Sequence, residues 1–170
     1  MATWTDGDKD GIGSSTRASS GVLFTLDDGV MTEVYAPDLG TSSVRDLQFA
    51  VSDGRSFAER EREHATSTIA LTDPRSLSYR QVTTSRSGRW RITKTYVADP
   101  TSSAVLVDVE FESLTRRPYQ LVRIGGHARH EAPVGDERGG WQRQHRLMLL
   151  DEAGQPGGIA TRGAGAGSPA

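Results

Sequence analysis

Apolar and polar positions alternate along most of the first 124 residues, with a period of two. Such alternation places one face of a strand in a core and the other toward water. Val22–Leu26 and Val30–Ala36 are apolar runs separated by Asp28-Gly29. An Asp-Gly pair there predicts a type I′ hairpin turn, which needs positive φ at both central residues. Val44–Val51 follows, with Leu47, Phe49 and Val51 on one face and Gln48 and Ser52 on the other. Strand signals resume at Ser67–Leu71 and Leu77–Thr84, and Ser87-Gly88 turns the chain into Arg89–Ala98. There Trp90, Ile92 and Tyr96 share a face opposite Arg91, Thr93 and Thr95. The most regular run is Ala104–Glu112, where Val105, Val107, Val109 and Phe111 oppose Leu106, Asp108, Glu110 and Glu112. Tyr119–Ile124 closes the series. Closely spaced strands with almost no helical periodicity predict an all-β fold, an antiparallel β-sandwich.

Two segments break the pattern. Residues 1–20 are rich in Gly, Asp, Ser and Thr and read as an irregular lead-in. Residues 55–66, R-S-F-A-E-R-E-R-E-H-A-T, lack an apolar face and read as a solvated loop or a single helical turn. After about Val122 the composition shifts: residues 122–170 hold three of the four His and 11 of the 19 Gly. The chain is therefore divided into a sandwich, 1–121, and a divergent Gly-, Arg- and His-rich tail, 122–170. The last ~15 residues are expected to be disordered for want of core-forming side chains.

A chain of 170 residues is long enough for one domain with a substantial core. Its net charge of −2 carries no electrostatic footprint of nucleic-acid binding. No apolar run has membrane-spanning length, so no membrane partner is expected. The absence of cysteine excludes disulfides and thiolate metal sites. With no basic-then-apolar leader at Met1–Asp8, a cytoplasmic location is the expectation.

Four constellations bear on chemistry. Asp6, Asp8 and Asp10, followed by Gly11, reproduce the opening of a calcium loop. Position 12 should be a bidentate Glu and is Arg17, so calcium is the one cofactor raised and a polar turn is the simpler reading. Paired carboxylates would suit glycoside hydrolysis, but nothing in the spacing of Glu33, Asp46 and Asp53 splits them into an acid and a base. His127, His130, Glu131 and His145 fall in the tail and His64 in the charged segment. H-x-x-H would be a metal spacing on a helix, which Gly125-Gly126 and Pro133 argue against. Finally, Trp4, Trp90, Trp141, Tyr35, Tyr79, Tyr96 and Tyr119 raise the idea of a sugar-stacking platform. Trp90 and Tyr96, sharing a face with Ile92, are expected in the core instead.

The segment T-L-D-D-G-V-M-T-E-V-Y-A-P, followed by V-R-D-L-Q-F-A-V-S-D-G, resembles the N-terminal β-sandwich domain (domain N) of bacterial glucoamylases and glucodextranases, in glycoside hydrolase family 15. The likeness extends back to Trp4 and G-D-K-D-G-I-G, and forward through R-W-R-I-T-K-T-Y-V-A-D-P to Tyr119-Gln120-Leu121, after which the tail departs abruptly. Divergence, a frameshift or a truncation would each produce such a departure. The resemblance implies a galactose-mutarotase-like supersandwich, incomplete at this length. It also implies a parent activity on 1,4- or 1,6-α-glucosidic bonds, whose two catalytic Glu sit in a separate (α/α)6 barrel. The expected role of these residues is then non-catalytic: an accessory domain supporting or docking that barrel. An independent carbohydrate-binding module and an inert truncated remnant are the alternatives. Trp4, Glu33, Tyr35, Arg45 and Asp46 are the residues expected to contact carbohydrate or the neighbouring domain. The expected partners are the catalytic domain or an α-glucan, and exposed strand edges would allow self-association.

Overall fold

The computed structural model describes residues 7–124, together with the strands at 143–150 and 160–161. Eleven strands fill the first span. They are β1 (Gly11–Ser14), β2 (Leu23–Asp27), β3 (Val30–Tyr35), β4 (Ser42–Val44), β5 (Gln48–Ser52), β6 (Ala58–Arg60), β7 (Ala65–Asp73), β8 (Ser78–Ser85), β9 (Trp90–Ala98), β10 (Val105–Ser113) and β11 (Gln120–Ile124). One helical turn, α1 (Glu61–His64), lies between β6 and β7, and β12 (Arg143–Leu150) and β13 (Ala160–Thr161) complete the described elements. Every pairing among them is antiparallel.

One layer is a six-stranded sheet in the order β13-β12-β10-β9-β8-β7. The other combines a four-stranded sheet, β1-β2-β3-β4, with a three-stranded sheet, β11-β5-β6. These two are linked where Leu47 N donates to Met31 O at 2.7 Å. Between the layers lies one apolar core, to which β2, β3, β5, β9 and β10 contribute Phe24, Val34, Phe49, Val51, Trp90, Ile92, Tyr96, Val107 and Phe111. The Phe24 ring stacks on Tyr96 at 6.0 Å and meets Tyr79 edge-on at 6.3 Å, which ties the layers together. The chain is thus an all-β antiparallel sandwich, and Trp90 and Tyr96 are wholly buried in it, as the alternation requires. Among the described residues no helix is long and apolar enough to cross a membrane.

The first hairpin turns as its sequence demands: Asp28 has φ 49° and Gly29 φ 75°. Three readings need correction. The lead-in is not irregular throughout, because β1 pairs with β2 along Gly11–Ser14. Glycine makes this strand hard to read and also makes it fit, since a Cβ on Gly13 would collide with the tip of the Phe24 ring. The run Val44–Val51 divides into β4 and β5, with Arg45 and Asp46 between them. Residues 55–66 contain the expected helical turn, but they are not simply solvated: β6 pairs with β5, and Glu61 is 2% exposed. In the tail, the L-M-L-L run belongs to β12, which pairs with β10 along its length. His127, His130, Glu131 and Trp141 lie outside the described residues, as does the segment expected to be disordered apart from Ala160–Thr161, which pairs with β12 as β13.

Candidate functional site

Four of the five expected contact residues gather on the β3–β4 side of the four-stranded sheet. Glu33 and Tyr35 alternate on β3, so their side chains leave the same face. Arg45 and Asp46 fall between the Val34–Val44 pair and the Met31–Leu47 bridge, which sets them across from Thr32 and Glu33. Arg45 is exposed and Asp46 half-buried, with Gln48 Nε2 donating to Asp46 Oδ2 at 3.4 Å. Trp4 lies outside the described residues.

Glu33 is buried and bound on several sides. Lys9 Nζ lies 3.9 Å from its carboxylate and Thr25 Oγ1 donates to it at 3.4 Å. Tyr35 also donates to Glu33, and its hydroxyl is held above the usual phenol range by burial first and by the Glu33 charge second. A register shift between Thr25 and Leu26 inserts Thr32 as an extra residue on β3. Its hydroxyl then reaches Thr25 Oγ1 at 2.8 Å and accepts from Lys9 Nζ at 3.4 Å. The result is a knot of hydrogen bonds around one carboxylate, a means of holding the sheet rather than a free acid or base.

Of the Asp triplet, Asp8 and Asp10 are exposed, Lys9 turns inward onto Thr32 and Glu33, and Asp6 is outside the described residues. Among the described residues no group of three or more His, Asp or Glu could hold a metal ion.

A second polar constellation escaped the sequence reading. On β9 the column Trp90, Ile92, Tyr96 also contains Lys94, whose side chain has no exposed surface. It pairs with Glu61 of α1, Nζ to Oε1 at 2.9 Å and to Oε2 at 3.0 Å, and donates to Gly29 O at 3.3 Å. Glu61 Oε2 further accepts from Phe49 N at 2.7 Å. Gln81 donates to the same Gly29 carbonyl and, at 2.9 Å, to Thr83 Oγ1, while Tyr96 donates to Gln81 Oε1 at 3.1 Å. Burial pushes Glu61 up and Lys94 down, and each partner's charge opposes the shift. The Tyr96 hydroxyl is raised well above its ordinary value by burial and by the Glu61 charge. Period two alone would have flagged Lys94, because a cation in an apolar column needs a buried anion.

On its outer face the six-stranded sheet carries an open groove of about 510 Å³ lined by Arg80, Val82, Thr84, Arg91, Thr93, Glu110 and Glu112. Arg91 and Glu112 pair across it at 3.4 Å. None of these lining side chains is aromatic, so the groove offers no stacking surface for a sugar ring.

The family model for glucodextranase, domain N, matches residues 1–139. A glucoamylase from Clostridium sp. (strain G0005) is 36% identical over 112 residues, which cover 66% of this chain and 16% of that protein. The crystal structure of a bacterial glucoamylase complexed with acarbose superposes with a TM-score of 0.63 at 29% identity, covering 86% of this chain and 18% of that one. The chain thus spans less than a fifth of the length of either relative. With the sandwich, the hairpin and its β3–β4 face in hand, the chain belongs to the glucodextranase domain N family, the N-terminal domain of glucoamylase.

Proposed function

We propose that this sandwich is a non-catalytic accessory domain of a glucoamylase-like α-glucan hydrolase, docking against and steadying an (α/α)6 catalytic barrel. One observation carries the reading: the buried glutamates are consumed in holding the fold. Glu61 is sealed against Lys94, and Glu33 is bound by Lys9, Thr25 and Tyr35. Both side chains are buried, whereas inverting glycoside hydrolysis needs a carboxylate facing a second one across a water-sized gap. The docking face would be the β3–β4 side, where Arg45 is exposed and Leu39, in the β3–β4 connection, is 68% exposed.

A chimera tests this, with the chain replacing domain N of a bacterial glucoamylase. The isolated chain should release no glucose from maltooligosaccharides, whereas the chimera should. Leu39→Asp with Arg45→Glu should lower the thermal midpoint of the barrel in the chimera and leave that of the isolated sandwich unchanged. Glucose release by the isolated chain, or a barrel indifferent to these substitutions, would overturn the proposal.

A further inference from the structure

Strand β7 forms one edge of the six-stranded sheet, and among the described residues it pairs with β8 alone. Edge strands ordinarily carry a lysine, a proline or a bulge that prevents further pairing. Here Thr66–Thr72 reads T-S-T-I-A-L-T, without charge or proline, and all of it is exposed except the half-buried Ile69. The bulge comes only at the far end, between Leu71 and Asp73. Leu71 is 45% exposed, one of few large apolar side chains so placed.

The ladder fixes which main-chain groups face outward. Arg86 N donates to His64 O at 2.9 Å, one step before the Ala65–Ser85 pair. Hydrogen-bonded pairs in an antiparallel ladder recur at every second residue. Thr66, Thr68 and Ala70 therefore bond to β8, and the N–H and C=O groups of Ser67, Ile69 and Leu71 point away from the sheet. This outward set is symmetric about Ile69.

We propose that β7 is a dimerisation edge that pairs antiparallel with β7 of a second copy of this chain, on a two-fold axis through Ile69. In that register Ile69 faces its symmetry mate and Ser67 faces Leu71 of the partner subunit, each as a hydrogen-bonded pair, giving about six new main-chain hydrogen bonds. The three outward residues of each copy are all used, and no like charges meet. On the core side, Ile69 and Leu71 of both copies come together and extend the apolar layer across the seam. A second copy suits this edge because its register is self-complementary. The pairing does not depend on whether the sandwich serves a catalytic barrel.

The register makes the test specific. Thr68 would lie opposite Ala70 of the partner subunit in a non-hydrogen-bonded pair, where side chains approach closest. Both residues are exposed, so a charged side chain has room there, and because position 70 lies opposite Arg80 of β8 the monomer stability of each variant is measured alongside. By light scattering across a concentration series, the parent chain should show twice its 18.4 kDa mass. T68K/A70K should set lysines against lysines in both pairs and weaken the dimer roughly 2- to 30-fold. T68K/A70E should place opposite charges in the same pairs and keep the dimer. A parent monomeric at all concentrations, or equal behaviour of the two variants, overturns the proposal. So does a monomer whose Ser67, Ile69 and Leu71 amides resist hydrogen exchange, because another part of the chain would then cover the edge.

Discussion

Lys94 and Glu61 form an ion pair in which neither side chain has any exposed surface, with Nζ 2.9 Å from Oε1. The pair joins the six-stranded sheet to α1 and, through Gly29 O and Phe49 N, to the first hairpin and the start of β5. Removing one partner of a buried pair strands the other charge and costs roughly 3–5 kcal/mol, whereas replacing both with apolar residues costs far less. Lys94→Met and Glu61→Leu should each show a loss of that size in urea unfolding. The double variant should lose well under the sum, because its remaining penalty is the unpaired Phe49 amide, while Gly29 O keeps its bond from Gln81. Additive losses would mean that the pair contributes no coupling of its own.

Turn aspartates contribute to the acid stability. Asp53 Oδ1 accepts from the amides of Phe57 at 2.9 Å, Arg55 at 2.9 Å and Ser56 at 3.0 Å. The Phe57 and Arg55 bonds are the chief reasons its carboxyl lies below the usual range. Asp73 and Asp99 are depressed in the same way, by the amides of Arg75 and Thr101. A group whose folded pKa is depressed adds stability above its unfolded value, here 3.8, and that stability disappears as pH falls through the folded pKa. Stability should therefore decline from about pH 5 downward, and Asp53→Asn should flatten that limb of the pH–stability curve. Carboxyl NMR should place the Asp53 midpoint below 3.8; a midpoint at or above it would sink the assignment.

Tyr35 offers a smaller and more local test. Its hydroxyl binds Glu33, whose charge and hydrogen bond add to the upward shift that burial produces. Tyr35→Phe removes one hydrogen bond and should lower stability by roughly 0.5–1.5 kcal/mol. Glu33→Gln in the parent should bring the Tyr35 hydroxyl down toward the ordinary phenol range, as ultraviolet titration would record. An unchanged Tyr35 titration would show that Glu33 does not act on it.

The sequence made the core legible wherever a strand has one dry face. Trp90, Ile92 and Tyr96 on β9 and Val105 to Phe111 on β10 lie as period two placed them. The Asp28-Gly29 turn was readable because its backbone demand falls on a residue pair with few substitutes. What escaped was set by contacts distant in sequence. In the charged run 55–66, Glu59 and Glu61 look like their neighbours, yet Glu59 accepts from Trp90 Nε1 at 2.8 Å and Glu61 from Lys94. Residues 31 and 33 positions further on decide which charges turn inward. On the β3–β4 face the nearness of Glu33 to Tyr35 follows from alternation, but Lys9 reaches it only through the fold of β1 against β2.

β1 itself was hidden by its glycines, and they furnish the last prediction. Gly11 and Gly13 let the strand lie directly on Tyr79 and Phe24, and Tyr79 donates to Ile12 O at 3.0 Å to hold it there. A methyl group at Gly13 would collide with the tip of the Phe24 ring, and Phe24 is fully buried against Tyr96, so the ring has little room to yield. Overpacking of this kind costs roughly 1–3 kcal/mol. The strain can be relieved by lifting β1, which is an edge strand of its sheet. Gly13→Ala should therefore free the amides of Gly11 to Ser14 for hydrogen exchange while β9 and β10 remain protected. If β1 stays protected and the whole sandwich loses stability instead, the strand and the core unfold as one unit.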